Sequence, residues 1–199
     1  MPVRTLFATP FYEAMIGSIE LREELAESCR HFAQEDGAGR RWSRDHGYRG
    51  YTSYASLTDL PVRDPAFADL KRLLDKQVRA FARECHFDLA KSLRLDSLWV
   101  NILKPGGMHS GHIHPHSVIS GTFYVAVPAG SGALKLEDPR LPMLMAAPGR
   151  SDDAPEHLQP FIYAEPAEGT VFLWESWLRH EVMPNRAKQD RISISFNYS

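Results

Sequence analysis

Cysteine and long apolar runs are both scarce in this sequence of 199 residues. Its two cysteines, Cys29 and Cys85, have no partner at metal-binding or redox spacing, so we predict two reduced core thiols. No stretch approaches the roughly eighteen consecutive apolar residues of a membrane helix. The amino-terminal segment also lacks the apolar centre of a secretory signal. We therefore expect a cytoplasmic protein with no membrane partner.

An excess of either charge is also missing, because 23 Lys and Arg stand against 25 Asp and Glu. The formal charge of −2 predicts no general attraction to nucleic acid. Hydrophobic residues at 43% and charged residues at 24% are ordinary for a globular protein. We predict one domain over residues 1–199, with a helical and loop part at 1–90 and a β-barrel core at 91–199.

Two helices are predicted in the first half of the chain. Over residues 18–32, apolar side chains recur every three or four positions. Over residues 64–86 a second such stripe follows Asp64 and Pro65, which are typical of a helix start. Residues 37–61 between them are rich in Gly, Arg and aromatics without any period. They predict a long surface loop or short strands, and loops of this length tend to be functional.

After Leu93 the pattern changes to short β-branched and aromatic runs separated by Gly and Pro. Such spacing predicts an antiparallel sandwich or barrel, so the fold class is mainly β with N-terminal helices, α+β. The predicted strands are SLWVNIL, SVISGTFYVAV, ALKLE, PFIYAE, GTVFLWE and RISISFNY.

Four of the nine histidines fall within residues 109–116, and they raise the possibility of a metal site. Residues two apart in a strand point to the same face, so His112 and His114 would direct both rings to one point. Pro115 should end that strand, and His116 should leave the shared face. His109 is three residues before His112, so in a continuous strand its side chain would point to the opposite face.

A transition-metal site needs a third protein ligand, and His180 is the candidate, at the end of GTVFLWESWLRH. In the last predicted strand, Arg191 and Ser193 share a face and could grip a carboxylate. The same pattern also fits a strand whose polar face only contacts solvent. Glu137, Asp138 and Glu175 are candidate hydrogen-bond acceptors for ligand imidazoles.

The order of these residues, a strand-borne H-x-H, a distant His and then R-x-S, resembles the iron(II)- and 2-oxoglutarate-dependent oxygenases. Residues 97–197 look most like a bacterial and phage family of 2-oxoglutarate-Fe(II) oxygenases, and LFATPFY resembles that family's opening. This resemblance implies a double-stranded β-helix, a jelly-roll or cupin-like barrel, flanked by helices. One position departs from the wider superfamily, because His114 stands where Asp or Glu is usual.

The resemblance also implies the site and its chemistry. His112, His114 and His180 would bind Fe(II), and Arg191 and Ser193 would bind the distal carboxylate of 2-oxoglutarate. Asn101 and Tyr124 could add hydrogen bonds to this cosubstrate. The enzyme would use O2 to hydroxylate or otherwise oxidise an unidentified small-molecule or peptide substrate. A homodimer is one assembly that the sequence leaves open, and residues 138–160 could form a lid.

Other functions remain open at the level of sequence. A cupin-type three-His dioxygenase or isomerase without 2-oxoglutarate fits the same ligands, and so does a barrel that binds metal or ligand without catalysis. A histidine-triad nucleotide hydrolase would need an unbroken strand where Pro115 stands. A zinc hydrolase would need a glutamate base, and none stands out.

Overall fold

Both predicted helices are present in the computed structural model, which describes residues 3–199; residues 1 and 2 of the predicted domain lie outside the described residues. Helix α1 spans Ile19–Glu35, and the Ser18 side chain caps it by accepting from the Leu21 amide. The longer helix, α4, spans Pro65–Glu84. Its N-cap is Asp64, whose carboxylate accepts from the Ala66 amide at 2.8 Å. Local capping chemistry therefore fixes both starts.

The prediction of a loop with short strands over residues 37–61 was partly wrong. This segment contains helix α2 (Gly37–Asp45), strand β2 (Gly50–Thr52) and the short helix α3 (Leu60–Arg63). Helix α2 has two glycines and no apolar stripe, which is why its sequence gives no periodic signal. Asp36 starts it by accepting from the Gly39 amide at 2.9 Å.

All six predicted strand runs are strands, and besides β2 three further strands precede or interrupt them. Strand β1 (Phe11–Met15) was not predicted, and β4 (His109–His112) and β9 (His180–Val182) are short. The others are β3 (Leu95–Leu103), β5 (Ile119–Ala126), β6 (Leu134–Glu137), β7 (Phe161–Ala164), β8 (Thr170–Glu175) and β10 (Arg191–Tyr198).

The strands form two antiparallel sheets. The large sheet has six strands in the order β1-β8-β5-β10-β3-β2, and the small sheet has four in the order β4-β9-β6-β7. Between β6 and β7 the chain makes two single turns of 3-10 helix, Leu141–Met143 and Glu156–Leu158. The fold is thus mostly antiparallel β with a few helices.

The two faces of the large sheet have different partners. The main apolar core includes side chains of α1 and α4, such as Leu25 and Phe67, together with Ile192 and Ile194 of β10. Cys29 belongs to this core and is a free thiol, as predicted, and burial raises its pKa. A smaller apolar cluster contains residues from both sheets: Tyr124, Leu134, Leu136, Phe172, Trp174 and Leu178.

None of the helices within residues 3–199 is both long and apolar enough to cross a membrane.

Candidate metal and cosubstrate site

Three histidines meet at the edge where the small sheet faces the large one. His112 ends β4 and pairs across the strands with His180, the first residue of β9. One ring nitrogen from each of His112, His114 and His180 lies within 4.8 Å of the others. We call these three residues the His cluster. Their spacing is compatible with a single ion, as the sequence pattern predicted.

The predicted strand geometry of the H-x-H pair was wrong in one respect. Strand β4 ends at His112, so His114 lies in the chain just beyond it. Its position is fixed instead by its main-chain N–H, which donates to the Ser176 carbonyl at 3.0 Å. The ring of His114 still lies 5.0 Å from that of His112, centroid to centroid.

Backbone carbonyls orient two of the three rings. The Nδ1 atom of His112 lies 2.7 Å from the Ser110 carbonyl oxygen, and that of His180 lies 2.8 Å from the Leu178 carbonyl oxygen. A carbonyl can only accept, so each Nδ1 carries the proton and each Nε2 keeps its lone pair. This is the tautomer that a metal-binding imidazole needs.

The three carboxylates predicted to orient the imidazoles are engaged elsewhere. Glu137 pairs with Arg179 at 3.3 Å, and Asp138 pairs with Arg140 at 2.7 Å. Glu175 accepts from the indole nitrogen of Trp177 at 2.8 Å. The Ser110 and Leu178 carbonyls have the role that the sequence suggested for these side chains.

Burial keeps the His cluster neutral. It lowers the pKa of His180 to about 3 and the pKa of His114 to about 4, and it also lowers the pKa of His112. Repulsion between neighbouring imidazolium charges lowers the values for His180 and His114 further. The lone pairs are therefore available at neutral pH without prior deprotonation.

His109 lies close to the His cluster, although its position three residues before His112 predicted the opposite face of the strand. The pairing of β4 with β9 shifts register between His109 and His112. Such an irregularity redirects a side chain, and the His109 ring centroid lies 4.6 Å from that of His112. His116, in contrast, is exposed, in keeping with its predicted departure from this face.

Arg191 is buried between the two sheets, only 1% exposed. Its Nη1 donates to the Gly132 carbonyl at 3.2 Å, and its guanidinium carbon lies 5.0 Å from the centroid of the Tyr124 ring. Among the described residues, neither its Nε nor the Tyr124 hydroxyl has a hydrogen-bond partner. Buried donors without partners are costly, and an acceptor such as a carboxylate would satisfy both atoms.

Ser193 lies between the other two predicted cosubstrate residues. Its cross-strand partners are Asn101 on β3 and Tyr124 on β5. Asn101 is already hydrogen-bonded, since its Oδ1 accepts from Thr52 at 3.0 Å and its Nδ2 donates to Ser195 at 3.0 Å. The sheet thus brings together all four predicted residues, Asn101, Tyr124, Arg191 and Ser193, on adjacent strands.

Sequence reasoning missed two residues near the site. The Tyr48 hydroxyl donates to Asn101 at 3.2 Å, and its ring lies 5.8 Å from that of His109. The Trp174 ring lies 4.7 Å from the His180 ring, and its buried indole nitrogen has no partner within the described residues. The only signal for Tyr48 was its place in an aromatic loop of unusual length, and Trp174 gave none beyond a strand pattern.

The sequence was also compared with protein families and with other proteins. Residues 97–197, just over half of the chain, match the family model described as "Putative 2OG-Fe(II) oxygenase". The search of curated proteins found no match.

Solved structures with similar folds were found as well. A Pseudomonas putida prolyl-4-hydroxylase is 17% identical, with a TM-score of 0.62 over 96% of this chain and 92% of its own. The epimerase SnoN from nogalamycin biosynthesis, in complex with Fe3+, alpha ketoglutarate and nogalamycin RO, is 15% identical, with a TM-score of 0.68 over 96% and 79%.

A third structure matches over a shorter length. It is an oxidoreductase of the 2OG-Fe(II) oxygenase family from Burkholderia pseudomallei, 20% identical, with a TM-score of 0.48 over 67% of this chain. The present chain spans 57% of the length of that protein.

Proposed function

The chain belongs to the 2OG-Fe(II) oxygenase family, whose cofactor is Fe(II) and whose cosubstrates are 2-oxoglutarate and O2, and we propose that its active site is the space around the His cluster. We assign His112, His114 and His180 as the metal ligands. Arg191 and Ser193 bind the distal carboxylate of 2-oxoglutarate, and Tyr124 and Asn101 complete that pocket. The prime substrate is a small molecule or a peptide.

One observation carries this assignment: three imidazoles lie within reach of a single ion, and the buried Arg191 guanidinium has an Nε donor without a partner among the described residues. The imidazole donor set suits Fe(II). Burial, the charge of His112 and the charge of Arg191 all lower the pKa of His109, and the contribution of Arg191 supports a guanidinium near the histidines. A dicarboxylate bound there would give both Arg191 Nε and the Tyr124 hydroxyl the acceptor that they lack.

Each residue then has a defined task. Arg191 neutralises the distal carboxylate and fixes the orientation of the cosubstrate, and the Tyr124 hydroxyl donates to the same group. Phe172, Trp174 and Leu178 exclude water from the inner wall, which strengthens these polar contacts. Bound iron supplies the oxidising chemistry, in which one O2 oxygen enters a substrate C–H bond while 2-oxoglutarate is converted to succinate and CO2.

Three imidazoles differ electrostatically from the usual two imidazoles and one carboxylate. They leave the full charge of a divalent ion uncompensated by the protein ligands. We propose that an anionic group of the cosubstrate supplies part of that compensation. The affinity for 2-oxoglutarate should therefore depend more strongly on bound metal here than in a site with a carboxylate ligand.

We also propose that the two sheets form a double-stranded β-helix within one domain of residues 1–199. The order of strands supports this, because consecutive strands alternate repeatedly between the sheets: β3 and β5 lie in the large sheet, β4 and β6 in the small one. The small cluster of apolar side chains from both sheets supports a common interior.

Titration of the wild-type protein tests the proposed function. Under anaerobic conditions, we expect one Fe(II) and then one 2-oxoglutarate to bind per chain, and after addition of O2 we expect succinate to form. A crystal soaked with iron and the inert mimic N-oxalylglycine should show both at the assigned residues. Protein that binds iron tightly but ignores the keto acid would contradict the proposal and support a cupin-type three-His enzyme.

The Arg191→Met variant separates these two possibilities further. We expect it to weaken 2-oxoglutarate binding by about tenfold to a hundredfold, because at least one charge-assisted hydrogen bond is lost. Iron affinity should not change. Calorimetric titration measures both constants, and Arg72→Met, which removes an exposed ion pair with Asp69 on α4, is the matched control.

A further inference from the structure

Three aromatic rings form a continuous path from the protein surface to the His cluster. The ring of Trp99 lies 5.9 Å from that of His114, and the ring of Tyr54 lies 5.3 Å from that of Trp99. Trp42 continues the path, with its ring 6.1 Å from that of Tyr54. We call Trp42, Tyr54 and Trp99 the aromatic platform.

The exposure of the platform changes along this path. Trp99 is 5% exposed and packs beside the His cluster, whereas Tyr54 is 56% exposed although it contacts Trp99. Trp42 stacks on His46 with an angle of 14° between the rings. An aromatic ring left open to solvent beside a buried one offers a surface on which another ring can pack.

The backbone below Tyr54 is held firmly. Ser53 is fully buried, and its amide donates to the Val100 carbonyl at 3.1 Å. In return, the Ser53 hydroxyl accepts from the Val100 amide at 3.0 Å. The Tyr54 amide donates to the Thr52 hydroxyl at 3.3 Å. Because Trp99 precedes Val100 on β3, these bonds fix Tyr54 relative to Trp99 and reduce the entropy lost when a ligand binds.

We propose that the aromatic platform binds the prime substrate through a flat aromatic ring in that substrate. A substrate ring packs on the exposed Tyr54 ring, which rests on the buried Trp99 ring, and the rest of the substrate extends toward His114, where the reaction takes place. This inference rests on the proposed function and adds the substrate class: compounds that carry an aromatic ring on one side of the reacting C–H bond.

Phenol and its saturated analogue cyclohexanol test the proposal as probes. The protein is loaded anaerobically with Mn(II) and N-oxalylglycine, and paramagnetic broadening of the probe proton signals is measured by NMR. We expect phenol to be broadened about fivefold more than cyclohexanol, because only phenol can form an aromatic pair. Tyr54→Ala and Tyr54→Leu should reduce this preference to none, whereas Tyr54→Phe should retain it.

Tyr163→Ala is the matched control, since Tyr163 is 52% exposed and lies on β7, the strand farthest from β4 in the small sheet. It should leave the phenol preference unchanged. Equal broadening of both probes, or a preference that survives Tyr54→Leu, would overturn the inference while leaving the proposed function intact. Mn(II) that remains free by its EPR signal would contradict the metal site itself, and the inference with it.

Discussion

Strand β10 contributes to two very different environments through alternate residues. On one side Ile192, Ile194 and Phe196 are at most 2% exposed and belong to the main apolar core with α1 and α4. On the other side Arg191 and Ser193 face the space between the sheets. The helix side is mostly apolar, with the Tyr198 hydroxyl donating to Asp75 of α4, and the other side has buried polar atoms without partners among the described residues.

This difference suggests how the protein separates stability from chemistry. Apolar burial against the helices stabilises the large sheet, so the opposite face can hold groups that are costly to bury. Donors on that face that are unpaired within the described residues lower the stability of the free protein, and in the proposed site a bound ligand would satisfy them. Mutations on the two faces should therefore have separable effects.

The largest effect is expected for His180→Ala, on the ligand side of the comparison. Removal of one of three ligand nitrogens should lower iron affinity by more than about 100-fold, since changes even to groups that only orient ligands cost up to that much. Succinate formation should fall to background. Anaerobic Fe(II) titration measures the affinity, and His31→Ala on the exposed face of α1 is the control. Unchanged iron affinity would refute the assigned ligand set.

The next effect is expected on the helix side, for Ile194→Ala. Ile194 is fully buried between its cross-strand partners Val100 and Phe123. Its truncation should lower the free energy of unfolding by about 2–5 kcal/mol, and Ile194→Val should cost about 0.5–1.5 kcal/mol. Urea denaturation of the metal-free protein measures this. Iron affinity of the folded variant should equal that of the wild type, and a large change would show that the two faces are coupled.

A smaller effect is expected for Asp36→Ala, which removes a partly buried polar group outside the space between the sheets. Besides capping α2, the Asp36 carboxylate accepts from the hydroxyls of Tyr51 and Ser56. We expect a loss of about 1–2 kcal/mol of stability at pH 7 without any change in iron affinity. That result would show that the Asp36 network affects stability alone, whereas Arg191 is expected to affect 2-oxoglutarate binding.

The pH dependence of this effect follows from the Asp36 pKa. Burial alone would raise that pKa, but hydrogen bonds from Ser56, Gly39 and Tyr51 lower it below its usual value. The carboxylate therefore stabilises the protein fully above about pH 4 and loses this contribution as the pH falls through the lowered value. Denaturation at pH 7 and at pH 3 should show a smaller difference between wild type and Asp36→Ala at the lower pH.

Features controlled by short-range chemistry could be predicted from the sequence. The apolar stripes predicted α1 and α4, and short β-branched and aromatic runs between turn residues predicted the strands that carry Asn101, Tyr124 and Arg191. Helix α2 could not be predicted, because it depends on the Asp36 cap and on packing against β2 rather than on an apolar face of its own. Strand β1 is half-buried at the edge of the large sheet and has little signal.

The grouping of the histidines could be predicted better than their local geometry. The order of His112, His114 and His180 along the chain pointed to three rings that the fold brings together. The register shift that turns His109 inward, and the early end of β4 before His114, arise from pairing with β9 and have no local signature. The Ser110 and Leu178 carbonyls accept from the His112 and His180 rings because of the folded backbone, and patterns of side chains in a sequence do not predict such contacts.

The division of the proposed site between two sheets has a consequence for selectivity among keto acids. His112 and His180 belong to the small sheet and Arg191 to the large one, and Phe172 and Leu136 pack between the two sheets. In the proposed site, the thickness of that apolar packing would set the distance from the metal to the guanidinium. It would therefore determine which dicarboxylate is long enough to reach both ends, so that five-carbon and four-carbon acids would be distinguished by apolar side chains that touch neither carboxylate.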